Sequence, residues 1–406
     1  MSVRTASIDV DLFDPDSFVP GVPHDMFDWL RAQAPAYFHP EPGGPGFWCL
    51  TRYDDVADAT KNWRLHSSAR GSNIPDFAEV EPGILNMMIN TDPPYHTKLR
   101  NLVRKGFTPR MVNALEPHLR DLCGRILDRI APLGECDFVT EVAAELPLEV
   151  ICELLGVRQE DRHLIFKWSN DMMGMDDPEY GNTFEGAQAS AFQMFDYMGA
   201  LAAERRLRPK EDLVSVLVEA EVDGESLTEM EYLMFVVLLS VAGNETTRNA
   251  MSGGLLALIE HPDERDRLLR EPSLVPFAVE EILRWVTPVM HFRRTATEDV
   301  EVHGQRVRAG DKVVLWYISA NRDETAFDDP HRFDVGRQPN EHVTFGGGGP
   351  HFCLGFAIAR LEIQVMLEEV LRRLSDVELA GPVSRLRSNW INGIKHLPIR
   401  YTPQRG

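Results

Sequence analysis

The sequence predicts a mainly α protein with small β-sheets near both ends, and three observations carry that reading. Apolar stripes of 3.6-residue period run through residues 112–131 and 146–155, and a long apolar stretch fills residues 229–261. Short alternating runs rich in β-branched and aromatic residues lie towards the two ends: Phe47-Trp-Cys-Leu-Thr-Arg-Tyr53, Val300-Glu-Val-His-Gly-Gln-Arg-Val307 and Lys312-Val-Val-Leu-Trp316. No internal repeat, low-complexity tract or Gly/Ser linker interrupts the 406 residues. One domain is therefore expected over 1–406, with a β-richer part to about 65, a helical core from about 94 to 290 and a mixed region from about 291 onward.

In chain order, Pro/Gly turns surround the strand at 47–53. Residues 70–95 read as a loop carrying the Met-rich patch Ile84-Leu-Asn-Met-Met-Ile89. The helical section opens at Asp92-Pro-Pro-Tyr-His-Thr-Lys-Leu-Arg100, where proline suits a first helical turn. Asp-Asp-Pro and glycine break it over 174–182. A last long helix is expected over 356–374, followed by a strand-like tail.

Composition removes several classes of function. Lys and Arg number 42 against 63 Asp and Glu, a net charge of −21, which opposes general binding to nucleic acid or to a membrane surface. Cys49, Cys123, Cys136, Cys152 and Cys353 are odd in number, scattered and without a CxxC pair. A disulfide scaffold or structural zinc is therefore not expected, and a reducing cytoplasm is. The N-terminus lacks the order of a signal peptide. The longest apolar run, 232–243, is too short to span a bilayer, so no membrane anchor is expected.

Four constellations can carry chemistry. Cys353 lies two residues from the end of the run Val343-Thr-Phe-Gly-Gly-Gly-Gly-Pro-His-Phe-Cys-Leu-Gly355, just before a helix whose N-terminus would favour a thiolate able to bind a soft metal. Glycines there let backbone approach a flat, bulky object. Taken alone, a lone cysteine is as readily a small core residue. Ala242-Gly-Asn-Glu-Thr-Thr-Arg-Asn249 puts Gly243, Glu245 and Thr246 inside an apolar helix, where threonine can bond back to a carbonyl and open a groove for a small polar ligand; its plainer reading is a buried polar kink. Glu281 and Arg284, three apart, share a helix face and can pair, either as an ordinary exposed ion pair or with Arg332 as a second fork to the same carboxylate. His96 and Arg100, four apart, can donate to a ligand carboxylate, with Arg294 and His351 as further donors, or can simply be solvated.

In this order and spacing the four motifs resemble a bacterial cytochrome P-450 across almost the whole chain. The resemblance implies a triangular helical prism with haem between the long central helix and the cysteine loop. It implies heme b, with Cys353 as the thiolate ligand of the iron, which favours O–O cleavage, and Thr246 with Glu245 as the alcohol–acid pair that delivers protons to bound O2. Gly243 would let the helix open beside the iron, and His96, Arg100, Arg294 and His351 would hold the propionates. Glu281, Arg284 and Arg332 would form the structural triad behind the loop, and Phe345 would pack near the sulfur. Phe345 stands eight residues before Cys353 where the commonest pattern has seven, so the loop carries one extra residue.

The finer likeness is to bacterial enzymes that hydroxylate sterol side chains, methyl-branched fatty acids or terpenoid chains, carried also by Ser388-Asn-Trp-Ile-Asn-Gly-Ile-Lys-His-Leu-Pro398. A tailoring hydroxylase of polyketides is the alternative, with a peroxide-driven hydroxylase or a haem sensor less favoured by the intact Glu245–Thr246 pair. The reading implies a hydrophobic substrate facing Leu238, Leu239, Val241, Ala242, Val289, Met290, Trp390 and Ile391. Loops holding Met87, Met88, Met172, Met173 and Met175 would close over it. Electrons are expected from a ferredoxin and ferredoxin reductase, since no flavin- or nicotinamide-binding region is seen, with docking on Arg100, Arg104, Lys105 and Arg110. The expected protein is a cytoplasmic monomer.

Overall fold

The structure, a computed structural model, describes residues 8–76, 87–180, 183–222, 224–374 and 376–404, with positions 105, 106, 109 and 222 described by backbone only. Residues 84–86 of the expected Met-rich patch and the Lys105 side chain thus lie outside the described part. Thirteen helices appear among the described residues: α1 (His24–Gln33), α2 (Tyr53–Lys61), α3 (Tyr95–Val103), α4 (Pro109–Ile130), α5 (Glu145–Leu155), α6 (Arg162–Met173), α7 (Phe184–Leu207), α8 (Leu213–Val218), α9 (Glu229–Glu260), α10 (Pro262–Arg270), α11 (Val275–Val286), α12 (Tyr317–Ala320) and α13 (Phe356–Arg373). The strands important here are β1 (Ala36–His39), β2 (Phe47–Leu50), β3 (His66–Ser67), β4 (Glu135–Asp137), β5 (Glu221–Val222), β6 (Glu225–Ser226), β7 (His291–Ala296), β8 (Val300–Val302), β9 (Gln305–Val307) and β10 (Lys312–Trp316).

The main sheet runs β1-β2-β10-β7-β3. Strand β10 lies parallel to β2, with Phe47 opposite Lys312, and antiparallel to β7. Strands from both ends of the sequence thus share one sheet. β10 is buried at every position, as its unbroken Val-Val-Leu-Trp pattern requires of a central strand.

Helix α9 organises the rest. It starts with a capping box in which the Thr228 hydroxyl accepts from the Glu231 N–H (3.2 Å) and the Glu231 carboxylate accepts from the Thr228 N–H (2.8 Å). Its first half, Tyr232 to Leu239, is buried in one apolar cluster with α5, α6 and α7. Its second half, from Ala250 to Leu258, is buried in another with α4, α11 and α13. Between the two clusters lie Asn244, Glu245, Thr247, Arg248 and Asn249, all buried and all polar. The helix nevertheless stays α-helical without interruption. The opening expected at Gly243 is absent: a Cβ there would lie 3.2 Å from Ile151 Cδ1, so the glycine serves close packing on α5. Packing on both flanks outweighs the ~1 kcal/mol that glycine costs a helix.

Candidate functional site

The cysteine loop is built by its own backbone. The Cys353 N–H donates to the Phe345 carbonyl (2.9 Å) and the Gly346 N–H to Val343 (2.8 Å). Gly346, Gly348 and Gly349 take φ of 80°, 111° and 76°, a region that favours glycine. A Cβ on Gly349 would stand 2.3 Å from the Thr60 carbonyl oxygen, and one on Gly347 3.0 Å from the Ala57 Cα. These two glycines therefore let the loop press against α2, a reason different from the one expected. The Phe345 ring packs against Phe352 and Phe356 (6.4 and 6.3 Å between centroids), and the Arg360 guanidinium lies 4.6 Å above it. Glu280 holds Arg360 with two bonds of 2.7 Å and takes His342 at 3.1 Å.

Cys353 differs chemically from the other cysteines. Burial pushes the thiols of Cys49, Cys123, Cys136 and Cys152 up to about 12. Burial raises Cys353 as well, but the Gly355 N–H and the positive charges of Arg100 and Arg360 pull it the other way. It sits three residues before the first residue of α13, within reach of that helix's N-terminal field.

Beside the thiol is a cluster short of anions. The His96 and His351 rings lie 4.2 Å apart. Burial, with Arg100 and Arg294 nearby, lowers them to about 4 and about 2. His96 Nδ1 and His351 Nε2 are buried without partners. Arg294 is 3% exposed and its guanidinium donates only to the Arg293 carbonyl. Neither Arg100 nor Arg294 pairs with a carboxylate among the described residues. Two guanidiniums without a paired carboxylate, beside two neutral imidazoles with open ring nitrogens, fit a ligand bringing carboxylates of its own. The sequence-predicted set His96, Arg100, Arg294 and His351 is thus brought together.

On α9 the Thr246 hydroxyl donates to the Ala242 carbonyl (2.8 Å). Ala242 is exposed and Thr246 half-exposed in the middle of a helix mostly buried, so one edge of α9 faces open space there. Glu245 is 1% exposed, and its carboxyl is raised by burial against the opposing pull of Arg248. The carboxylate accepts from Arg248, and its Oε1 has no partner. Sequence reading did not anticipate that pair, although Arg248 stands three residues on, at helical pairing distance.

The Glu281 site corrects one expectation. Arg284 donates from Nε (2.7 Å) and Nη2 (2.8 Å) to Glu281, as expected. The second fork comes from Arg337, whose Nε lies 3.1 and 3.2 Å from the two carboxylate oxygens. The Arg332 side chain instead pairs with Asp334 (3.0 Å) at the surface. What Arg332 offers the cluster is its carbonyl, which accepts from both Arg284 (3.2 Å) and Arg337 (2.8 Å).

Sequence reading also missed Glu362 on α13. It is 2% exposed and hydrogen-bonded to the Thr247 hydroxyl, and burial pushes it from 4.5 to about 8. The folded protein therefore keeps this proton while the unfolded chain loses it. Stability from this group is complete below pH 4.5 and is lost as pH rises towards 8. Glu362→Gln is expected to flatten that slope, read as urea midpoints across this range.

A cavity of about 230 Å³ opens between α6, α7, α9 and the segments around 73, 89 and 390. Met87, Leu238, Val241 and Trp390 line it as expected, together with Met172, Met173 and Met175. Met88, Leu239 and Met290 are instead buried in apolar clusters, and Val289 and Ile391 pair with each other as a β-bridge. Ala242 is not among its walls. On α9 the wall residues 234, 237, 238 and 241 follow i, i+3, i+4, i+7 spacing; Leu239 is turned about 100° from Leu238 and about 160° from Val241, whereas Ala242, about 40° from Leu238, lies one turn further along, exposed beside Thr246.

A thiol under a helix N-terminus, donors without paired carboxylates, an acid–alcohol pair on α9 and an apolar cavity along the same helix are the parts of a haem-thiolate class of protein. The Cytochrome P450 family model matches residues 18–381. The steroid C26-monooxygenase of Rhodococcus jostii (strain RHA1) is 42% identical over 407 residues, covering 98% of this chain and 85% of that protein. The methyl-branched lipid omega-hydroxylase of Mycobacterium tuberculosis (strain ATCC 25618 / H37Rv) is 42% identical over 410 residues, covering 98% and 95%. A Mycobacterium marinum cytochrome P450 solved in complex with pseudoionone superposes with a TM-score of 0.91 at 37% identity, covering 99% of this chain and 100% of that one. The chain belongs to the cytochrome P450 family. It is a monooxygenase that works with haem on a cysteine thiolate, and its fold is that of the family. No described helix is long and apolar enough to cross a membrane.

Proposed function

We infer that this enzyme hydroxylates the end of a branched aliphatic chain on an uncharged lipid, a sterol side chain before a terpenoid or a branched fatty acid in esterified form. The carrying observation is the cavity: its described walls hold methionine, phenylalanine and aliphatic side chains, with Ser72, Asn73, Asn90 and Gln188 as the polar members and no charged group. A free carboxylate would pay desolvation there without a partner. The relatives' names, steroid C26 and lipid omega, both denote chain ends.

In this reading Cys353 is the iron ligand of heme b, and His96, Arg100, Arg294 and His351 hold its propionates. The bound haem supplies activation of O2 and oxidation of the C–H bond. Around it, the apolar walls orient the chain end and exclude water. The Thr246 hydroxyl, free to leave the Ala242 carbonyl, would turn its O–H from the edge of α9 into the open space beside it. Glu245 holds the proton that this hydroxyl passes on. Phe345 and Arg360 shield the sulfur side. The test is a spectral titration with a sterol enone, a branched fatty acid and its methyl ester, followed by product yield per reducing equivalent. The enone and the ester are expected to bind at least tenfold tighter than the acid; preference for the free acid would overturn the substrate reading. Thr246→Ala is expected to bind as tightly yet to divert reducing equivalents to peroxide.

An iron–sulfur ferredoxin and its reductase are the proposed electron donors, in the cytoplasm and with a monomeric enzyme. Support comes from Arg104 and Arg110, both exposed in an acidic chain. Arg104→Glu is expected to slow first-electron transfer in stopped-flow without altering substrate affinity.

A further inference from the structure

We propose that Arg248, tied to the cavity wall through Asn170, positions the Glu245 carboxylate, so that filling the cavity governs when Glu245 can turn towards Thr246. The proposal rests on the acid–alcohol reading above and adds the device that controls it.

Three observations carry it. Arg248 donates through one nitrogen to Glu245 and through Nη1 to Asn170 Oδ1 (2.8 Å). Glu245, Arg248 and Asn170 are 1%, 4% and 9% exposed, so water does not screen these bonds. Asn170 belongs to the last turn of α6, whose Met172 and Met173 line the cavity. Phe166, one turn earlier on the same helix, lies 5.9 Å beneath the guanidinium. A displacement of α6 by a bound chain therefore reaches Arg248 at two points.

The third observation is bonding capacity left open. Glu245 Oε1, Arg248 Nε and both side-chain polar atoms of Asn244 and Asn249 are buried without partners, the two asparagines fully so. A carboxylate held by one oxygen among spare donors has a second place to go; one whose oxygens are all engaged, as at Glu281, does not. Tyr180 is the further titratable group within electrostatic reach of Glu245 and Arg248. The proton that Glu245 gives to the Thr246 hydroxyl is replaced from solvent, and Arg248 neither gains nor loses one.

Asn170→Ala removes the acceptor on α6 and leaves Glu245 and Arg248 in place; Asn170→Asp restores an acceptor. Infrared difference spectra of the holoenzyme with and without substrate should show a protonated-carboxyl band that Glu245→Gln deletes. Asn170→Ala should abolish the dependence of that band on substrate, and Asn170→Asp should recover it. In turnover, Asn170→Ala should keep the carbon monoxide spectrum, tighten substrate binding by up to about fivefold because the bound chain no longer works against the tether, raise the peroxide share about fivefold, the equivalent of one hydrogen bond, and change the solvent deuterium isotope effect. A wild-type band with an Asn170→Ala enzyme indistinguishable from wild type, or an Asn170→Asp enzyme no better than Asn170→Ala, overturns the tether alone. Absence of a Glu245-dependent band together with a fully coupled Thr246→Ala enzyme overturns the acid–alcohol reading beneath it.

Discussion

Glu281→Ala is expected to destabilise the fold by about 3–5 kcal/mol or more, enough to leave little native protein. Glu281 and Arg284 are both 0% exposed. The carboxylate accepts from Arg284, from Arg337, from Asn340 Nδ2 (3.1 Å) and from the Asp334 N–H (2.9 Å). Arg322 lies in the same interior, its guanidinium 3.9 Å from the Trp285 ring. Burial and the charges of Arg284, Arg31 and Arg337 hold it well below its usual range, with Glu281 as the opposing influence. Removing the one acid strands several buried cations, which costs far more than the net worth of a pair. Arg332→Ala is the matched control. Its side chain is 57% exposed and pairs with Asp334 alone, so a loss within about 1 kcal/mol is expected. Urea unfolding of the two variants measures both; equal losses would return Arg332 to the cluster.

Cys353→Ser is expected to abolish both turnover and the red-shifted Soret band of the reduced carbon monoxide complex, while the melting temperature of the haem-free chain changes little. The loop is closed by backbone bonds from Cys353 and Gly346 and by glycines against α2, none of which needs sulfur. A serine oxygen is a harder ligand and is not ionised at neutral pH, so it cannot replace a thiolate on iron. The same exchange at Cys136, whose thiol burial and nearby acids push up to about 12, should keep the band. A retained band in Cys353→Ser would move the iron ligand elsewhere.

The sequence made some parts of this molecule plain and hid others for identifiable reasons. Helix α9 ends at Glu260 and α13 at Arg373, each within a residue of the expected limit, because long apolar periods and caps are local signals. Strand β10 was legible at both ends for the same reason. Arg337 was not legible as the Glu281 partner, since it approaches from 56 positions away through loop backbone, and several arginines precede it. The list of cavity residues on α9 failed at Leu239, which lies on another face of the helix, and at Ala242, which shares the face of Leu238 but lies one turn beyond it, and only the neighbours decide where the wall ends. Arg248 was visible as a residue, but its tie to Asn170 joins helices 78 positions apart, a pairing no local pattern records.

The pairing of Phe47 with Lys312 also has a meaning in time. A ribosome adding about 5–20 residues per second needs tens of seconds to reach β10 after finishing β2. Throughout that interval the β1–β2 hairpin keeps an unpaired edge and the apolar side chains of Phe47, Cys49 and Leu50, all later buried. Such an edge is a template for the wrong partner. The sheet that joins the two parts of the chain can therefore close only after β10 emerges, late in synthesis.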